Sequence, residues 1–150
     1  MATETTSPTL TDSAARLRLA IVRTARRLRQ EAAGAGTELT PTAVSALATV
    51  ERHGPLTPSE LAEIERVKRP TATRTLRVLG EAGLVERAPD PIDGRSSLVS
   101  VNSAGRERLR RLRGRKNAYL ARRMRDLPPA DLETLDRAAE ILEGILEDRR

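Results

Sequence analysis

From Asp12 to Ala33 the apolar residues Ala14, Leu17, Ile21, Ala25, Leu28 and Ala32 recur at intervals of three and four. That spacing gathers them on one face and predicts a helix, closed by Gly34-Ala35-Gly36. Residues 1–11 are Thr- and Ser-rich with Pro8, lack any period, and are expected to be disordered. A second helix follows Thr40-Pro41, an N-cap with proline at the first helical position, buries Val44, Leu47 and Ala48, and stops at His53-Gly54-Pro55. A third, short helix opens at Leu56-Thr57-Pro58-Ser59-Glu60-Leu61. Thr57 and Glu60 make a capping box there, with Leu56 as its hydrophobic staple.

The fourth helix is expected over Arg69–Ala82, with Gly83 as its cap. At 100° per residue Ala72, Leu76 and Leu79 share an inward face, while Pro70, Arg74, Arg77 and Glu81 point away. Two helices joined by a tight turn, the first short and capped, make a helix-turn-helix pattern. Leu84–Ala88 and Ser97–Val101 then read as strands joined through Asp93-Gly94, a hairpin turn signal. A hairpin directly after a helix-turn-helix is a wing. Asn102-Ser103 caps a fifth helix over Ala104–Arg125, and Leu132, Leu135, Ala139, Leu142, Ile145 and Leu146 mark a sixth from Pro129 to Asp148. The expected fold is mainly α with a small β-hairpin.

Charge divides the 150-residue chain further. The net charge is +6, with 27 Lys and Arg against 21 Asp and Glu. A positive balance suggests an anionic partner, nucleic acid first. The balance is uneven: residues 55–103 are neutral, 104–125 carry +9, and 126–150 carry −5. Within the neutral block, Arg66, Lys68, Arg69, Arg74 and Arg77 occur with no acid among them. Absent residues exclude whole chemistries. With no Cys there is no disulfide, thiolate metal site, cysteine nucleophile or thiol sensor, and one His cannot supply a two-imidazole site. No Gly-rich phosphate loop, metal-ligand cluster or paired nucleophile is visible, so no enzyme, metal or cofactor is expected. With Tyr119 as the single aromatic, an RNA-binding surface built on base stacking is disfavoured. No apolar run approaches the roughly 18–20 residues that span a bilayer. The polar N-terminus shows no secretory leader, so a cytoplasmic, nucleoid-associated location is expected.

Several segments carry a family resemblance: Leu56–Leu61 (LTPSEL), Arg69–Arg74 (RPTATR), Glu81–Arg87 (EAGLVER) and Asp90–Arg95 (DPIDGR), followed by Leu98-Val99-Ser100-Val101. In that order and spacing the chain resembles the MarR (multiple-antibiotic-resistance regulator) family of transcription factors over about residues 12–148. The resemblance implies a homodimeric winged helix-turn-helix protein flanked by a helical dimerisation domain. Residues 12–54 would dimerise and support, 55–103 would bind DNA, and 104–150 would dimerise. It also implies a pseudo-palindromic operator, a recognition helix in the major groove, and a wing in the minor groove. A small aromatic or anionic effector would release the DNA.

Carried onto this sequence, the recognition helix offers Lys68, Arg69, Pro70, Thr71, Thr73, Arg74 and Arg77. The wing offers Asp93, Arg95 and Ser96, with Asp93 expected to ion-pair an arginine. Thr57, Ser59 and Arg106 are candidate phosphate contacts. Lys68 departs from the family, which often has Ser there. The N-cap falls on Lys68 or Arg69, and a cation there accepts no hydrogen bond and opposes the helix dipole, which suits a helix start that holds a phosphate. The arginines of the fifth helix are expected to serve phosphates near the wing and to pair with the acidic sixth helix and with Glu residues of the partner chain. A constitutive or architectural DNA-binding protein, or an activator without ligand sensing, stays open as the alternative.

Overall fold

The computed structural model describes residues 8–33 and 39–147. Six helices and one hairpin follow in the order α1 (Leu10–Ala32), α2 (Pro41–His53), α3 (Pro58–Ile64), α4 (Arg69–Glu81), β1 (Val85–Pro89), β2 (Ser97–Val101), α5 (Ser103–Met124) and α6 (Pro129–Leu146). The chain divides into two units between Lys116 and Asn117, inside α5.

Local chemistry sets most boundaries. α1 starts at Leu10, two residues earlier than expected, because Thr9 and Asp12 form a capping box: Thr9 Oγ1 accepts the Asp12 N–H and Asp12 accepts the Thr9 N–H, each at 3.1 Å. Leu10 and Thr11 are therefore helical, not disordered; residues 1–7 and the expected Gly34-Ala35-Gly36 stop lie outside the described residues. Thr40 caps α2 and Thr57 caps α3 as expected, the latter with its reciprocal bond from the Thr57 N–H to Glu60. α4 ends one residue before the expected Ala82, which is the cap; Gly83 follows at φ 71°, and the Leu84 N–H reaches back to the Leu79 carbonyl at 3.0 Å. That is the left-handed closure for which glycine is suited. α6 ends at Leu146, short of the expected Asp148, which lies outside the described residues.

The core of the first unit is aliphatic throughout. Leu47, Leu61, Leu76, Leu79, Leu109, Val50 and Val99 are its largest fully buried side chains. α2 contributes Ala43, Ala46, Leu47 and Val50, so it belongs to the same core as α3, α4 and the hairpin. Of the positions expected inside α2, Leu47 is buried, and Val44 and Ala48 are half-buried against the core. The α4 face of Ala72, Leu76 and Leu79 is buried as the helical spacing requires.

The two strands pair antiparallel with Val85 opposite Val101 and Pro89 opposite Ser97. β1 is shifted one residue from the expected 84–88. Leu56 bridges Val99 on the far side of β2, with N–H···O bonds of 2.9 and 2.8 Å in both directions. β1 is thus an edge strand, where Pro89 and its missing N–H are tolerated.

α5 begins one residue early, at Ser103. Asn102 Oδ1 accepts the Gly105 N–H at 2.9 Å. Gly105 is buried, and a Cβ there would stand 2.2 Å from the Leu84 carbonyl oxygen, so only glycine lets α5 approach the hairpin this closely. In the second unit the Arg123 guanidinium sits over the Tyr119 ring, 6.0 Å from its centroid.

Candidate nucleic-acid interface

α4 presents the site. Arg69, Pro70, Thr73, Arg74 and Arg77 line one depression on its exposed side. Burying Ala72, Leu76 and Leu79 forces these residues outward. Thr71 is exposed on the first turn, and its carbonyl accepts the Thr75 hydroxyl at 2.9 Å. Arg77 bonds Glu81 one turn on, at 2.7 Å. Both side chains are more than half exposed, so the pair holds the arginine only weakly. Lys68, Arg69 and Arg74 make no ion pair among the described residues.

The start of α4 differs from those of α1, α2 and α3, each of which has a threonine side chain bonded to the first turn. Lys68 is the N-cap of α4 and makes no side-chain cap bond. No acid stands in the first turn of α4, so the positive end of its dipole meets only cations, an arrangement suited to an anion.

The turn before α4 is held from α2. Glu65, the C-cap of α3, accepts Ser45 Oγ at 2.7 Å and also the Thr49 hydroxyl. A carboxylate at a helix C-terminus opposes the dipole, and the two hydroxyls compensate it. Arg66 follows at φ 52°, left-handed backbone that costs a non-glycine residue about 1 kcal/mol. No local pattern reveals the α2 partners of Glu65; an acid at a helix C-terminus was the available signal.

The wing tip is tightly wound. The Asp90 N–H donates to the Ser96 carbonyl at 3.1 Å and the Ser96 N–H to the Asp93 carbonyl at 2.9 Å. The Asp93 carboxylate accepts the Arg95 backbone N–H at 3.0 Å, a local bond typical of an aspartate in a turn. The Arg95 side chain stays exposed, beside half-buried Ser96.

The three expected phosphate contacts separate. Ser59 is half-buried at the start of α3. The Thr57 hydroxyl is committed to Glu60, accepting its N–H at 3.2 Å and donating to its carboxylate at 2.9 Å. Arg106 is exposed, with one nitrogen donating to the Val101 carbonyl at 2.8 Å. Further along α5, Arg113 pairs with Glu51 of α2 at 2.7 Å and Arg115 donates to the Ala32 carbonyl of α1 at 3.4 Å. These partners on α1 and α2, beyond the expected α6 and partner-chain acids, lie too far away in sequence for periodicity to find.

A second feature lies in the same unit. The end of α1, the start of α2 and the middle of α5 enclose a cleft of about 740 Å³. Its lining combines aliphatic side chains such as Leu28, Val44 and Leu112 with the cations Arg29, Arg108, Arg111, Arg115 and Lys116.

Known proteins share this architecture. Residues 39–97 match the model of the MarR family. An HTH-type transcriptional regulator of Mycobacterium tuberculosis is 36% identical over 132 residues, covering 88% of this chain and 91% of the relative. The chain belongs to the MarR family. A Mycobacterium leprae relative, also named an HTH-type transcriptional regulator, is 35% identical over the same length and shares. A structure from Pseudomonas aeruginosa PA01 superposes with a TM-score of 0.80 at 33% identity, over 93% of this chain and 99% of that one. A MarR family protein of Bacillus stearothermophilus has the same fold, with a TM-score of 0.77 at 18% identity over 90% and 93% of the two chains. The molecule is thus a MarR-family winged helix-turn-helix regulator, mainly helical with a small hairpin. Among the described residues, no helix is long and apolar enough to cross a membrane.

Proposed function

We propose that this MarR-family chain is a homodimeric, ligand-responsive repressor that reads a pseudo-palindromic operator in double-stranded DNA. It performs no chemistry of its own and works in the cytoplasm, at the nucleoid. α4 enters the major groove, with Arg69, Thr71, Thr73, Arg74 and Arg77 toward the bases and Lys68 on a phosphate. The wing carries Arg95 into the adjacent minor groove, where a narrow A·T-rich stretch attracts arginine. Ser96, Ser59 and Arg106 flank these contacts on the backbone.

The observation that carries this reading is the acid-free start of α4, uncapped at Lys68, with the exposed side chains of Arg69 and Arg74 beside it. Dimerisation is supported by apolar faces left open on α1 and α6. Leu17 and Ile21 of α1 are each 44% exposed, and α6 buries none of its residues. A second copy would cover them. Ligand response is supported by the cleft beside α2.

Footprinting on the DNA next to the coding gene tests this reading, with sizing of the free protein. The expected result is a dimer that protects an inverted repeat with half-sites about one helical turn (~10–10.5 bp) apart. A stable monomer, or protection without an inverted repeat, would contradict it.

A further inference from the structure

We propose that Glu81 is a positioning residue for Arg77: it holds the guanidinium with one two-donor edge open to a guanine, and it turns phosphates away. The proposal rests on the reading of α4 as the major-groove helix.

Stability does not account for Glu81. It is the last residue of α4 and the only acid in that helix. A carboxylate there opposes the helix dipole. α1 follows its dipole, with Asp12 in the first turn and Arg29 in the last, whereas α4 has no acid in its first turn and no base in its last. The pair with Arg77 also runs base before acid, the less favourable order along a helix. Its side chains are 62% and 63% exposed, where an ion pair contributes little to folding.

The geometry gives Glu81 another use. Arg77 lines the depression on the outer side of α4 with Arg69, Pro70, Thr73 and Arg74, while Glu81 stands outside that lining. Arg77 Nη1 donates to Glu81 Oε1 at 2.7 Å. A guanidinium carries its donors in a rigid plane, so this bond leaves the Nε–Nη2 edge unspent. That edge is a fork that matches the O6 and N7 acceptors of guanine in the major groove. An arginine fixed in advance loses less rotamer freedom on binding than an unheld one. A phosphate accepts donors from many directions and gains little from the orientation, and the charge of Glu81 repels it. The pair therefore favours a base over the backbone.

The test is fluorescence anisotropy of the full chain on two duplexes, with thermal unfolding alongside. One duplex carries the inverted repeat from the DNA next to the coding gene, and the other is scrambled. Glu81→Ala should bind the repeat at least about fivefold more weakly, the low end of a lost bidentate base contact. It should bind the scrambled duplex equally or more tightly, with Tm unchanged or higher. Glu81→Gln keeps an oxygen for Arg77 and should lose less on the repeat than Glu81→Ala. In an Arg77→Ala background, Glu81→Ala should cost nothing on the repeat. Replacing the half-site guanines one at a time by 7-deazaguanine, which lacks N7, should weaken the wild type at one position where Arg77→Ala is insensitive. Tighter binding of Glu81→Ala to both duplexes would reduce Glu81 to a repulsive charge, and weaker binding to both with a lower Tm would make it structural. Either result overturns the proposal, as does the lack of any guanine with that dependence. Equal wild-type affinity for the two duplexes would instead overturn the reading of α4 itself, and the proposal with it.

Discussion

Asn102 Nδ2 donates to the carbonyl oxygen of Gly83 at 2.8 Å, across 19 residues of sequence. The same amide caps α5 through its oxygen, and the Asn102 N–H bonds the Leu84 carbonyl at 3.2 Å. One side chain thus fixes the end of α4 against the start of α5, with the hairpin between them. Asn102→Ala removes a cap and a tie, and should cost about 1–2 kcal/mol in a denaturant titration. A loss near zero would show that the tie is idle.

Gly105→Ala tests the close approach behind that tie. The added methyl would meet the Leu84 carbonyl oxygen at 2.2 Å and Val101 Cγ1 at 2.7 Å. The backbone oxygen cannot swing aside, so overpacking should cost about 1–3 kcal/mol. Thermal unfolding should show a lower midpoint, and an unchanged one would mean α5 can slide.

Lys68→Ser separates folding from recognition. Serine can cap α4, so stability should hold or rise by up to about 1 kcal/mol. DNA affinity should fall, and the slope of log affinity against log salt should shrink by about one phosphate contact. A loss of stability without a loss of affinity would make Lys68 structural.

Asp12 gives a pH signature. Its carboxyl accepts hydrogen bonds from the side chain and then the backbone of Thr9, which hold it below its ordinary value of 3.8. A lowered folded value means the contribution is present above 3.8 and is lost as pH falls through the folded value. NMR titration of Asp12 should give a midpoint below 3.8, and Thr9→Ala should raise it.

Sequence pattern was enough where the cause is local. The Thr57-Pro58-Glu60 capping box, the Ala72-Leu76-Leu79 face and the Asp93-Gly94 turn each act within a few residues, so spacing alone reveals them. The long ties were not legible. Arg113 meets Glu51 across 62 residues, and Ser45 meets Glu65 across 20, so neither leaves a period. The cleft was illegible for the same reason as the ties: three separated segments build it.

The most direct measurement of the central claim is fluorescence anisotropy on a duplex carrying the inverted repeat and on a scrambled duplex, for wild type, Arg74→Ala and Arg95→Ala. The account predicts wild-type binding to the repeat at least about 10³-fold tighter than to the scrambled duplex at physiological salt. Arg74→Ala should shrink that ratio by removing a base contact, and Arg95→Ala should weaken binding most where the flanking minor groove is A·T-rich. Equal wild-type affinity for the two duplexes, or no change in either variant, would contradict the assignment of α4 and the wing as the reading surface.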